Sequence, residues 1–380
     1  MNKEELFAVM EQIAEEREAA RPIVRELVES GGSVDDIEIP EGWRTAGMVM
    51  ELCEFAYNHL EIDPLRSLSF SLLSLVLGTD PSTRGYPEPI PVYLEGRAWK
   101  EIGHSHRFMG AYDTAIQAQN VAETVLATAG VLIHEQMLTR FAQAGTLFRA
   151  ERFALARESN AAAIECFREL GDSVGLLKSE VLDASIDINE GYFDVAREKF
   201  EKILGNYGGE DLYTLGIAYS NLAICNRISG RKSAAVMAAE HAREIFVELD
   251  MPSEVSRTDW GLATILLEED PRKALPLLER LRADFLNRHM ASAAGEIGLC
   301  IVDGLIATGR SVAALRLTEK VLAEFAEAKF DNNTMSALAY LRDLLQTTGD
   351  VRGAVREARS RVEKYRSEHQ ELFLSLDEAN

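Results

Sequence analysis

His134-Glu135 opens the pattern of a helical zinc site, in which two histidines four apart hold the metal and the glutamate acts as base. The second histidine position is Leu138, so one ligand is missing. His104 and His106 stand two apart, about 200° around a helix, and so do not share an ion. Gly230-Arg-Lys-Ser233 has the lysine and hydroxyl of a phosphate loop, but no glycine precedes it at the spacing such a loop needs, and no strand pattern leads into it. The four cysteines (Cys53, Cys166, Cys225, Cys300) are scattered without a CxxC, which reads as reduced thiols packed as small hydrophobes. The expectation is therefore no catalytic residue, no metal, no cofactor and no enzyme activity.

Binding is the better lead. Arg97, Lys100, His104 and Arg107 recur at intervals of three and four, the spacing of one helix face. They stand out in a chain with 62 acids, 40 bases and a net charge of -22. That charge repels a nucleic-acid backbone and an anionic membrane surface, so a protein or peptide partner is expected. Lys178, Ser220, Asn221 and Arg227 are further polar candidates downstream. Two readings of the basic stripe stand side by side. It either receives an acidic or extended segment of a partner, or neutralises the first 90 residues, which hold 18 acids against 7 bases. Leu138, Phe141 and Phe148 likewise read as core or as an apolar shelf.

The elements that carry these residues repeat. A helical run, a turn usually holding Gly, and an Ala five residues later recur with anchors at Ala115, Ala156, Ala196, Ala235, Ala274, Ala314 and Ala354. The spacings are 41, 40, 39, 39, 40 and 40 residues. Each unit predicts two antiparallel helices, A and B, with the glycine ending helix A in a left-handed conformation. Twelve residues before the anchor stands a second small residue: Gly103, Ala144, Ala184, Ala223, and Ala263 if the Asp270-Pro271 turn is one residue shorter. Val302 and Arg342 depart from this.

A small residue in helix A, a Gly turn and an Ala in helix B resemble the tetratricopeptide repeat, whose usual unit is about 34 residues. The 40-residue spacing resembles the longer variety found in kinesin light chains and bacterial regulators, most clearly over Tyr219–Gly230. The resemblance implies an all-α, right-handed superhelical solenoid of helix hairpins with a concave groove lined by helix A. It also implies that Asn221 grips the backbone of a ligand, and that Arg97, Lys100, His104, Arg107, Lys178 and Arg227 take groove positions. The carboxylate clamp of chaperone-binding repeats is half matched, by Lys100 and Lys178 but not at His104, Ala142 and Leu182.

Residues 1–90 read as a helical cap with a degenerate repeat anchored at Ser67 and a Pro-rich loop over Gly78–Pro91. Residues 91–373 hold seven repeats and 374–380 a tail. An acidic helix over Lys3–Ser30 is expected to break near Pro22 and to stop at Gly31-Gly32. The last helix carries Val351, Val355, Ala358, Val362 and Tyr365 on one face, with basic residues behind them, as a capping unit needs. The acidic start is unlike a signal peptide, and the longest apolar stretch, Ser67–Gly78, is too short to span a bilayer, so a cytoplasmic location is expected. The function expected is a non-catalytic scaffold holding a peptide or helix of a partner, or a sensor whose array responds to a small ligand or signalling peptide.

Overall fold

The computed structural model describes residues 3–29, 38–60, 62–80, 82–206, 208–209, 211–287, 291–327 and 351–368, with a few helical positions between 335 and 345. The expected Gly31-Gly32 stop, the tail at 374–380 and the side chains of Val351, Val362 and Tyr365 lie outside the described residues. The chain forms two compact units, residues 1–186 and 187–380. Among the described residues every regular element is a helix.

The first unit contains α1 (Lys3–Glu29), α2 (Ala46–Asn58), α3 (Pro64–Gly78), α4 (Ile90–Phe108), α5 (Tyr112–Ala127), α6 (Ile133–Arg149) and α7 (Phe153–Leu170), and most of α8 (Ser173–Asn189). The second contains α9 (Phe193–Gly205), α10 (Leu212–Ile228), α11 (Lys232–Glu248), α12 (Pro252–Glu269), α13 (Pro271–Asn287), α14 (Ala291–Ala307), α15 (Ser311–Glu327) and α16 (Val351–Glu368). From α1 to α7 and from α9 to α15 each helix packs on the next, and helices A also meet their counterparts two along: α2 with α4, α4 with α6, α10 with α12, α12 with α14.

The anchors explain why the hairpins close. Each anchor alanine is the fourth residue of its helix B, and so is Ser67 in α3. Ala115, Ala156, Ala196, Ala235, Ala274, Ala314 and Ser67 are fully buried. Three residues separate helix A from helix B in five hairpins, with left-handed φ at Gly110 (73°), Gly191 (85°), Gly230 (73°) and Gly309 (76°). The residue after each glycine donates its N–H to the carbonyl five back, as Arg231 does to Asn226 at 2.8 Å, which ends helix A with its last carbonyls satisfied. Glu151 occupies the same place without glycine, at φ 58°. Between α12 and α13 only Asp270 intervenes; its side chain accepts from the Arg272 N–H at 3.1 Å. Pro271 starts α13, where no N–H is needed.

A second recurrence holds the hairpin ends together. Eleven residues after the anchor stand Leu126, Phe167, Phe246, Phe285 and Phe325, all essentially inaccessible. In three hairpins a glycine near the start of helix A makes room for that side chain: Gly96 against Leu126, Gly216 against Phe246, Gly295 against Phe325.

The N-terminal helix departs from expectation. α1 runs through Pro22 without ending, because Pro22 is exposed and α1 is fastened along its length. Arg17 pairs with Glu51 at 2.7 Å and with Glu54, and Glu16 accepts from the Gly47 N–H at 3.0 Å and the Tyr86 hydroxyl at 2.6 Å. Arg66 donates to the terminal carbonyls of α1 at Leu27 and Val28. The degenerate hairpin is α2–α3, with a short 3-10 turn at Thr83–Gly85 inside the Pro-rich loop. Among the described residues no helix is long and apolar enough to cross a membrane.

Candidate functional site

The basic stripe shares one face of α4, as its spacing requires, but that face is not open. His104 and Arg107 are only 7% and 6% exposed. The His104 ring lies 5.7 Å from that of Tyr57 on α2, and its Nδ1 is 3.0 Å from Oε2 of Glu101, itself buried. Arg97 donates to the Tyr93 hydroxyl at 2.8 Å, Lys100 lies 4.0 Å from Glu101, and Arg107 stands over the Phe108 ring at 5.2 Å. The face expected to line a groove is thus largely buried, with α2 over part of it and the carboxylate of Glu101 at its centre. Burial pushes His104 below its ordinary pKa against the pull of Glu101. Burial alone would raise Glu101, yet His104, Lys100 and Arg97 together hold it below the usual carboxylate value. Leu138, Phe141 and Phe148 are half-buried and pack on the cores around Phe167 and Ala144, which favours the core reading.

His134, the half zinc motif, lies 2.8 Å from Asp172 with its Nε2 and ties the start of α6 to the turn before α8. Among the described residues no group of three or more histidines, cysteines or carboxylates gathers as a metal set. Burial pushes the thiols of Cys53, Cys225 and Cys300 up to about 11, away from nucleophilic use at neutral pH.

The second unit holds an open cavity of about 200 Å³ where α10, α11 and α12 meet. Asn221 and Arg227 line it, so two of the sequence candidates come together here. Ser220 joins them from α10, and α12 contributes Arg257, Thr258, Gly261 and Thr264. Ile224, Ile265 and two alanines form the apolar wall. Arg227 reaches across to α12, with Nη1 3.3 Å from Glu268 Oε1, and Arg257 pairs with Glu254 one turn back on its own helix. The Ser220 and Thr258 hydroxyls are buried without a hydrogen-bond partner, an arrangement that favours a ligand able to supply one. Lys178 stands half-buried on α8, in the segment counted with the first unit, and is not among the cavity residues.

The α12 residues were missed for a simple reason. Groove positions counted back from Ala274 need the same one-residue shift that brings Ala263 into register. With it, Arg257 and Thr264 fall on groove positions, and Gly261 on the position that Asn221 holds in the preceding hairpin.

Helix hairpins in tandem, closed on a small anchor residue, define a tetratricopeptide-like fold. No family model matches the chain, and no curated protein matches it in sequence. Solved structures do. The apo form of RapI has a TM-score of 0.59 at 14% identity, over 98% of this chain and 99% of that one. A Rap protein complexed with Competence and Sporulation Factor follows at 0.54 and 14%, over 92% and 99%. NprR in complex with its cognate peptide NprX gives 0.51 and 11%, over 94% and 98%. At these identities the likeness is one of fold: this chain folds as those repeat proteins do over nearly its whole length.

Proposed function

We propose that the chain is a non-catalytic regulator that receives an extended peptide, or a peptide-like segment of a partner protein, along the helix-A face of its second unit. The observation that carries this reading is the cavity between α10 and α12, where Asn221 and Arg227 meet unpartnered hydroxyls beside an apolar wall. An amide both donates and accepts, so Asn221 suits the alternating groups of a peptide backbone. The peptide complex among the similar folds, that of NprR with NprX, supports the ligand class. Arg97, Lys100, His104 and Arg107, whose contacts are to Tyr93, Glu101 and Phe108 of α4 and to Tyr57 of α2, are not assigned to the partner.

The sensor reading is favoured by the Arg227–Glu268 pair, which links two helices A across the cavity and changes partner if a ligand enters. Panning a library of random linear decapeptides on the full chain, with affinities of selected peptides measured by titration calorimetry, tests both readings. Selected peptides should lose about tenfold in affinity with Asn221→Ala. Failure to select any peptide, or binding indifferent to both Asn221→Ala and Arg227→Gln, refutes the assignment. A ligand-induced change in hydrogen exchange of α10 and α12 beyond the contact residues selects the sensor over the passive scaffold.

A further inference from the structure

We propose that the cavity between α10 and α12 takes the free carboxylate end of a peptide whose last side chain is aliphatic. The inference rests on the peptide reading and names the part of the ligand that this site recognises. A volume of about 200 Å³ is below the roughly 300–1,000 Å³ of sites that enclose a whole small molecule, so it suits one terminal residue. Guanidinium groups and aliphatic wall lie side by side in it. A ligand matching both must carry negative charge and a branched hydrocarbon close together, as a C-terminal leucine, isoleucine or valine does.

The charge partners already present leave donors to spare. Each guanidinium has five N–H donors, and one carboxylate engages two at most. Arg257 is held by Glu254, which is 4% exposed and fixed on the same helix. Arg227 pairs with Glu268, with side chains 33% and 44% exposed, and a pair so open to water exchanges readily. Thr258 is 5% exposed, and its hydroxyl has no partner although it lines the cavity. An incoming carboxylate would accept from that hydroxyl and from Arg227, displacing Glu268 into solvent. Each of the two arginines carries a glutamate in the free chain, so an anion enters by taking the place of the exposed Glu268.

An aspartate or glutamate side chain offers the same carboxylate, so the experiment separates the two sources. Three hexapeptide pools ending in leucine, randomised at the first four positions and, in two of them, at the fifth, are captured on the full chain and quantified by mass spectrometry. One pool has a free carboxylate, one is amidated, and one is amidated with aspartate fixed at the fifth position. The free-acid pool should be retained about tenfold over the amidated pool, the loss expected for one charge-assisted hydrogen-bond set. Arg227→Gln should bring that ratio close to one, and Glu268→Gln should raise it by freeing Arg227. Equal retention of acid and amide pools, both abolished by Asn221→Ala, overturns the carboxylate inference and leaves the peptide reading standing. Preference for the aspartate pool over the free acid assigns the arginines to an internal acid and overturns the terminal one. If no pool is retained, the peptide reading fails with it. A ratio unmoved by Arg227→Gln, with helix content unchanged, overturns the role of the guanidinium.

Discussion

Gly216 and Gly261 sit inside adjacent helices A of the same unit, yet replacing each by alanine should move stability in opposite directions. In a helix interior the change gains about 1 kcal/mol from propensity alone. At Gly261 a new Cβ meets nothing within 4 Å, so the whole gain should be realised. At Gly216 it would stand 2.8 Å from Cε1 and Cζ of Phe246 and 3.2 Å from Ile245 Cγ2. Phe246 is fully buried and cannot swing away, so the helices must part or the ring must leave its rotamer, at about 1–3 kcal/mol. The net is a loss of about 1 kcal/mol at Gly216 and a separation of about 2 kcal/mol between the variants. Urea unfolding followed by circular dichroism reads both in the transition of one unit. Phe246→Leu should remove the clash and restore the propensity gain, so a double-mutant cycle should show a coupling of about 2 kcal/mol. A Gly216→Ala protein as stable as the parent, or both variants shifting the same way, would refute the knob-and-hole account of the hairpin ends.

Glu151→Gly should stabilise the first unit by about 0.5–1 kcal/mol, because φ 58° strains a residue with a Cβ; unfolding midpoints check it. Ala235→Leu should cost about 1–3 kcal/mol where its exposed neighbour, Ala234→Leu, costs little, and equal midpoints would show the anchor register to be wrong. His104 has its folded pKa below the unfolded value, so its contribution is present above about pH 6.5 and is lost as pH falls through the folded value. Glu101, also depressed, acts in the same direction at lower pH. His104→Gln should therefore flatten the fall in first-unit stability from neutral pH to about pH 5, which denaturant titrations at several pH values would show.

The fold was legible because a hairpin of close helices needs a small residue where they cross and a left-handed residue where they turn. Both needs leave marks at fixed spacing. The phenylalanine eleven after the anchor leaves an equal mark, in Phe167, Phe246, Phe285 and Phe325. The site was half legible. Asn221 and Arg227 follow from the repeat register, while Arg257 and Thr264 were lost to the shortened turn at Asp270. The burial of His104 was not legible for a deeper reason: periodicity tells which residues share a face, whereas what covers it, Tyr57 of α2, lies some fifty residues earlier. Pro22 is a similar case, in which fastening by Arg17, Glu16 and Arg66 overrode a local helix breaker.

That every anchor is the fourth residue of its helix has a consequence for how such a chain can change in length. A block cut at one anchor and rejoined at the next restores the same small contact residue at the same place in its helix. Loss or duplication of one whole block of about 40 residues therefore leaves each new neighbour facing a surface it already fits. An insertion of a few residues inside a helix has no such refuge, because it rotates everything beyond it off the shared face. Length in this molecule is quantised: the array can grow or shrink by whole steps, while the single-residue turn at Asp270 marks where a partial step was absorbed.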